Sequence, residues 1–365
     1  MSGGIAQLVA VGAQDAHLVG QPEVSFFRSS YRRHTNFAQT VERQVLQGIP
    51  TNGGISTVRF ERKGDLLGYA YITQRTPAAL TKEQWASRIK KVELLIGGQV
   101  IDDQTSHFSQ YIAPTIMAQN TSKGPDRSST STTRFYPLRF SFCENWQSAI
   151  PLIALQYHDV ELRITWDTPV ANDYEIHAQY IYLDTDERTT LASMPQNMVI
   201  TQTQKSIASG SAMQELNFNH PIKLLASSNV FDATSLGIAT GSIKLQINGT
   251  DVTDSKPTVP HYTETSLYYH TAASSIEGDA GNYFLYPFCL ETSKLQPTGS
   301  LNFSRLDSAR LVSTGGSFTA GQDVYAVNYN VLRVMSGMGG LAYSNWADWV
   351  YVSCLFIYIY LKQLK

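Results

Sequence analysis

The chain has 365 residues, of which 42% are apolar and 16% charged, and its formal net charge is −2. That length passes the roughly 250–300 residues at which one core usually gives way to two, and so little charge on so apolar a chain excludes intrinsic disorder. No block of Lys or Arg forms the basic stripe of a protein that wraps nucleic acid, so no direct nucleic-acid binding is expected.

The N-terminus, Met1-Ser2-Gly3-Gly4, lacks the basic region and apolar run of a secretory signal, and Ser2 stands where a myristoylation motif requires glycine. Arg32-Arg33-His34 is a basic cluster suited to phosphate or anionic lipid, or to a subunit contact or solvated strand. Alternation of apolar and polar residues then recurs along the chain, as at Val58 and Phe60 after the turn Asn52-Gly53-Gly54. Thr81 with Gln84 three residues on forms a capping box for a short helix through Ile89, followed by a Gly97-Gly98 turn. A second helix is expected over Gln104 to Gln119, interrupted at Pro114. Val160, Leu162, Ile164 and Trp166 alternate with Glu161, Arg163 and Thr165, which puts one face of a strand into a core, and Tyr180 with Tyr182 repeats the pattern. Asp184, Asp186 and Glu187 stand two and three residues apart. On a strand they offer carboxylates to a calcium ion, or else close the strand and pair with Arg188. The polar, apolar-poor segment Gln202–Ser211 is the best linker. Beyond it, Leu216 with Phe218 and Ile243, Leu245, Ile247 again alternate, separated by Asn248-Gly249 and Gly315-Gly316 turns. The run from Trp349 to Leu361 is shorter than the ~20 residues of a bilayer span.

Many short strands with Gly-rich turns, together with 20 Tyr and 15 Phe, favour antiparallel sandwiches over a βαβ arrangement. The expected organisation is all-β: one sandwich over 1–204, a second over 205–345, and an apolar tail over 346–365 whose role is open.

The eight His are scattered without HExxH spacing, and neither a GxSxG elbow nor a GxxxxGK[ST] loop occurs. Ser336–Leu341 resembles a dinucleotide loop only in its glycines. It lacks the third glycine and precedes no helical pattern, so it reads as a tight turn or a close backbone approach. Cys143, Cys289 and Cys354 are too widely spaced for a disulfide framework or zinc site and fit a reducing compartment. No catalytic residue, cofactor or metal is expected. Sequons stand at Asn120, Asn248 and Asn302.

Four ordered segments resemble the major capsid proteins of nucleocytoplasmic large DNA viruses, the phycodnavirus, iridovirus and mimivirus-like family. They are Gly4–Asp15 (GIAQLVAVGAQD) continuing through Phe26-Phe27 to Tyr31–Ala38 (YRRHTNFA); Ile150–Val160 (IPLIALQYHDV) with Tyr182–Arg188 (YLDTDER); Leu295–Asp307 (LQPTGSLNFSRLD); and Tyr325–Leu341 (YAVNYNVLRVMSGMGGL).

The resemblance implies a double jelly roll, two eight-stranded antiparallel β-sandwiches in tandem with a few short helices in loops. It implies homotrimers with a pseudo-hexameric outline that tile an icosahedral capsid, a virion protein assembled in the host cytoplasm and not an enzyme. By the same resemblance Tyr31, Arg32, Arg33, His34, Asn36 and Phe37 lie at the inner face, near neighbouring capsomers, minor capsid proteins or the internal viral membrane. The outward loops carry glycans where these occur. The chain is shorter than is typical of that group and runs on past Gly337–Asn345. Two rival readings are a minor or divergent virion protein of the same fold, and a carbohydrate-binding or hydrolytic β-sandwich. Clustered exposed aromatics or a carboxylate pair on one concave face would support the latter, although sequence order alone does not bring Trp85, Trp146 and Trp166 together.

Overall fold

The computed structural model describes residues 12–76, 79–123, 132–168, 173–228, 241–272 and 283–343. They fall into two units, an arm ending at Asn36 and a body beginning at Phe37. Within the arm are a 3₁₀ turn, Ala13–Asp15, and one helical turn, Ala16–Val19. Asp15 Oδ2 accepts from Gly12 N at 2.6 Å.

The first half of the body is built from β1 (Phe37–Gln44), β2 (Ile55–Arg59), β3 (Leu66–Gln74), β4 (Ile89–Ile96), β5 (Gln99–Thr105), β6 (Phe135–Pro137), β7 (Val160–Trp166) and β8 (Tyr174–Leu183). One five-stranded sheet runs β1-β8-β3, with β6 and Ile150–Pro151 both on β3. The other runs from Leu46–Gln47 through β2-β7-β4 to β5. β7 shows why these segments are strands: Val160, Leu162, Ile164 and Trp166 are all buried and the residues between them half-buried. Their side chains join Val58, Phe60, Ile72, Ile176 and Tyr180 in one core between the sheets.

The second half repeats the plan with β9 (Gln196–Ile207), β10 (Met213–Glu215), β11 (Pro221–Ser228), β12 (Ser242–Ile247), β13 (Thr250–Asp251), β14 (Tyr283–Pro287), β15 (Ala309–Thr314) and β16 (Asp323–Met335), closed by β17 (Met338–Leu341). Its sheets run β9-β16-β11-β14 and β10-β15-β12-β13. Strand order therefore matches between the halves, β1 with β9, β8 with β16, β3 with β11 and β6 with β14. All the pairings of the principal strands are antiparallel. Each half is a jelly roll, two packed sheets that leave few free edges, and the fold is a double jelly roll as expected.

β9 corrects the expected linker. Gln196–Ile207 pairs along its whole length with β16, so Gln202–Ile207 is strand. The chain changes from one pair of sheets to the other across a helix, Thr185–Ser193, ahead of the expected 204/205 boundary.

Helices are short and lie between strands. Helix α1 (Lys82–Arg88) starts at the expected capping box, Thr81 Oγ1 accepting from Gln84 N and Gln84 Oε1 from Thr81 N. The second expected helix is shorter than Gln104–Gln119. Gln104 belongs to β5, and a π-helical stretch, Phe108–Ile112, passes into α2 (Ala113–Ile116). Pro114 follows the π-helical turn, which closes with Ala113 N donating to Phe108 O, and the helical course runs on across it to Ile116. The Thr185–Ser193 helix is α3, and α4 (Thr258–His261) and α5 (Glu264–His270) follow in the second roll. The tail 346–365 lies outside the described residues.

Candidate assembly surfaces

The first surface is the one that joins the two rolls. β11, and β16 over Val324–Asn330, are buried on both faces, so alternation is lost there. A register shift between Ile222 and Leu224 turns Ile222 and Leu225 toward the second roll's own core and Leu224 and Ala226 to the outside. That outer face, Leu224, Ala226, Leu285, Tyr325 and Val327, is covered by Phe108, Ile112, Ala113 and Ile116 from the helical excursion between β5 and β6. Each of these nine side chains is no more than 2% exposed. Tyr325 Oη anchors the seam from inside, 2.7 Å from Thr105 Oγ1, and donates to Asp323 Oδ2 at 2.9 Å.

Beside this apolar contact lies a buried polar one. Asp102 on β5 accepts from Thr203 N on β9 at 2.8 Å and from Gln104 Nε2 at 2.9 Å. Gln202 Nε2 donates to Ile101 O, and Gln202 Oε1 accepts from Asn330 Nδ2 at 2.8 Å. Burial pushes the Asp102 carboxyl up to about 7 against these hydrogen bonds, which favour its charged form.

The glycine-rich Ser336–Leu341 is both things expected of it. Ser336 and Gly337, with φ of +53° and +79°, form the turn between β16 and β17. The backbone also approaches the first roll closely: Gly337 O accepts from Tyr157 N at 2.9 Å, and a Cβ on Gly339 would lie 2.6 Å from Leu155 Cδ2.

The second surface is the equivalent outer face on the first roll, and nothing among the described residues covers it. It presents Tyr69 and Tyr71 of β3, Phe135 of β6, and Glu175 and His177 of β8, with Tyr69 42% and Phe135 47% exposed. Tyr71 stacks on His177 at 5.3 Å and meets Phe135 edge-on at 5.8 Å. Arg43 Nη1 and Arg75 Nε donate to Glu175 Oε1 at 2.9 and 3.0 Å, and these hydrogen bonds hold the Glu175 carboxyl below its usual range.

Of the residues singled out from the sequence, Tyr31, Arg32, Arg33, His34 and Asn36 are exposed in the arm, outside helix and strand, and Phe37 opens β1. The acidic cluster is not on a strand. Asp184 caps α3 through Thr185 N, while Asp186 and Glu187 occupy its first turn, where the N-terminal dipole favours carboxylates. Arg188 turns away from them to Asp65, at 3.0 Å. No group of three or more metal-ligating side chains occurs among the described residues, and no described helix is long and apolar enough to cross a membrane. Trp85 and Trp166 are core residues and only Trp146 is exposed, so the three Trp form no common platform. Asn120 and Asn248 are exposed in turns and Asn302 is half-buried. All three carboxamides accept from nearby backbone N–H groups, of Lys123, of Asp307 and Ser308, and of Ser304 respectively.

Comparison with known proteins bears on these surfaces. Residues 25–210 match the family model for the major capsid protein N-terminus, and residues 187–340 match that for the large eukaryotic DNA virus major capsid protein. The chain is 36% identical to the major capsid protein of Pyramimonas orientalis virus, with 94% of this chain and 100% of that protein covered. It is 32% identical to the major capsid protein of Paramecium bursaria Chlorella virus 1, over 94% of this chain and 100% of that protein. A chain in a quasi-atomic model of the PBCV-1 virus capsid superposes with a TM-score of 0.70 at 28% identity, covering 88% of this chain and 100% of that one.

Proposed function

Because this chain belongs to the large eukaryotic DNA virus major capsid protein family, we propose that it assembles as a homotrimer whose six jelly rolls form a pseudo-hexameric capsomer, and that such capsomers tile an icosahedral shell. Like its relatives, it is a structural capsid protein, a component of the virion and not an enzyme. The observation that carries the trimer is the tandem repeat. Each chain holds two rolls of matching strand order, locked by a seam that is no more than 2% exposed, so three chains present six like-shaped units.

The finer assignments follow from this reading. Tyr31, Arg32, Arg33, His34, Asn36 and Phe37 contact neighbouring capsomers, minor capsid proteins or the internal viral membrane, which their exposure and the paired guanidinium groups support. Assembly takes place in the host cytoplasm, in keeping with the free thiols of Cys143 and Cys289. Any glycan sits at Asn120 or Asn248 ahead of the half-buried Asn302.

Light scattering behind a sizing column tests the proposal. The expected particle has three times the 40.5 kDa chain mass. A monomer that persists at every concentration tried overturns it.

A further inference from the structure

Resting on the capsomer reading, we infer that the uncovered outer face of the first roll receives α5 of a second copy of this chain, with Tyr268 and Tyr269 seated on Tyr69, Tyr71 and Phe135.

The argument starts from the internal repeat. In the first roll the chain leaves β5, forms the Phe108–Ile116 helices and returns at β6. Those helices lie on the outer face of the second roll's β16-β11-β14 sheet. In the second roll the chain leaves β13 and forms α4 and α5 before β14, the same point in the same strand order. Yet α5 keeps two large aromatics in solvent, Tyr268 80% and Tyr269 71% exposed, with their rings 4.9 Å apart edge to face.

The face equivalent to the covered one is β8-β3-β6, and it is the one left with exposed aromatics. The rows correspond: Tyr325, Ala226 and Leu285 lie side by side in the second roll as His177, Tyr71 and Pro137 do in the first. Chemistry fits as well. Two guanidinium groups, Arg43 and Arg75, share the single Glu175 carboxylate on the face, while the first turn of α5 carries the exposed acid Glu264. Tyr and Arg are the side chains that protein interfaces favour. A helix of one copy on a sheet of the next is a head-to-tail contact, which closes a ring when the rotation allows. The seam inside one chain and the contact between chains would then alternate around that ring.

Site-specific cross-linking of the full chain tests this. Tyr71→Cys and Tyr268→Cys are made separately in a Cys354→Ser background and treated with a short bismaleimide. Cys143 and Cys289 are buried and serve as unreactive controls. The expected result is a covalent dimer in the mixture of the two variants and none in either alone. The chain carrying both substitutions should give a ladder that stops at the trimer. Tyr268→Asp with Tyr269→Asp should weaken the trimer at least tenfold and leave the circular dichroism of the chain unchanged, because both side chains are solvent-exposed. A particle of trimer mass that neither cross-links in the mixture nor weakens with the Asp pair overturns this contact and leaves the capsomer standing. Cross-linking of Tyr268→Cys to itself also overturns it, since the contact is then two-fold. A parent chain that stays monomeric brings down the capsomer reading, and this contact with it.

Discussion

The equivalent outer faces of the two jelly rolls share strand order but differ in cover. On the second roll the face is built of Leu224, Ala226, Leu285, Tyr325 and Val327 and is closed over by the chain's own helices. On the first it is built of Tyr69, Tyr71, Phe135, Glu175 and His177 and is left half-open. One face is apolar but for the Tyr325 hydroxyl and is covered by the chain itself. The other mixes aromatic rings with paired charges, a composition that tolerates water before a partner arrives. On the assembly reading proposed above, the difference separates a contact made during folding from one kept for assembly.

The largest test of that separation is a pair of truncations. Phe108 is fully buried in the seam, so Phe108→Ala should cost about 3–5 kcal/mol of stability through lost transfer energy and a cavity. Phe135, on the open face, is 47% exposed, and Phe135→Ala should cost the free chain no more than about 1 kcal/mol. Guanidinium unfolding of both variants, under conditions where the chain is dispersed, measures the contrast. Equal losses would mean that the two faces are covered alike.

Asp102 sharpens the comparison from the polar side of the seam. Its carboxyl is raised from an ordinary 3.8 to about 7 by burial. Between pH ~4 and ~7 the unfolded chain releases this proton while the folded chain keeps it, so the folded state binds more protons and stability falls as pH rises. The contribution is fully present below the unfolded value and gone above about 7. Asp102→Asn keeps an acceptor for Thr203 N and removes the titration. The stability of the parent minus that of the variant should therefore drop by ~2–4 kcal/mol between pH 4 and pH 8. Paired urea titrations at the two pH values read this difference, and a flat result means the carboxyl is solvated.

Much of this fold was legible because its signals are local. The alternation in β7 and β12, the Thr81 and Gln84 box and the glycine turn after β16 each depend on residues a few positions apart. The seam was not. Gln202 and Thr203 sit in a polar stretch that reads as a linker, and their partners Ile101 and Asp102 lie 101 positions away. Nothing local marks those side chains as buried, since the other roll provides the burial. The acidic cluster misled for a related reason, because capping α3 and closing a strand call for similar residues. Tyr268 and Tyr269 were not legible as a surface pair, because no cap or period marks the helix Glu264–His270 that holds them in solvent. Nothing in the arm residues Tyr31 to Asn36 beyond family resemblance marks a contact, and the fold adds only their exposure.

The smallest expected effect lies in the charges of the open face. Glu175 is held below its usual range by Arg75 and Arg43, so its contribution is present at neutral pH and lost as pH falls below the unfolded value of 4.5. Both guanidinium groups are well exposed, so in the free chain Glu175→Gln should cost less than about 1 kcal/mol, and less still in 1 M salt. If the face is covered on assembly, the same substitution should matter more there. It would leave two guanidinium groups desolvated without their shared carboxylate, and removing one partner from a buried charge pair costs more than the pair contributed. Urea unfolding of the dispersed chain and the dissociation midpoint of the assembled particle should therefore rank the variant differently, mild in the first and marked in the second. Equal effects in both would mean that this face stays in water throughout assembly.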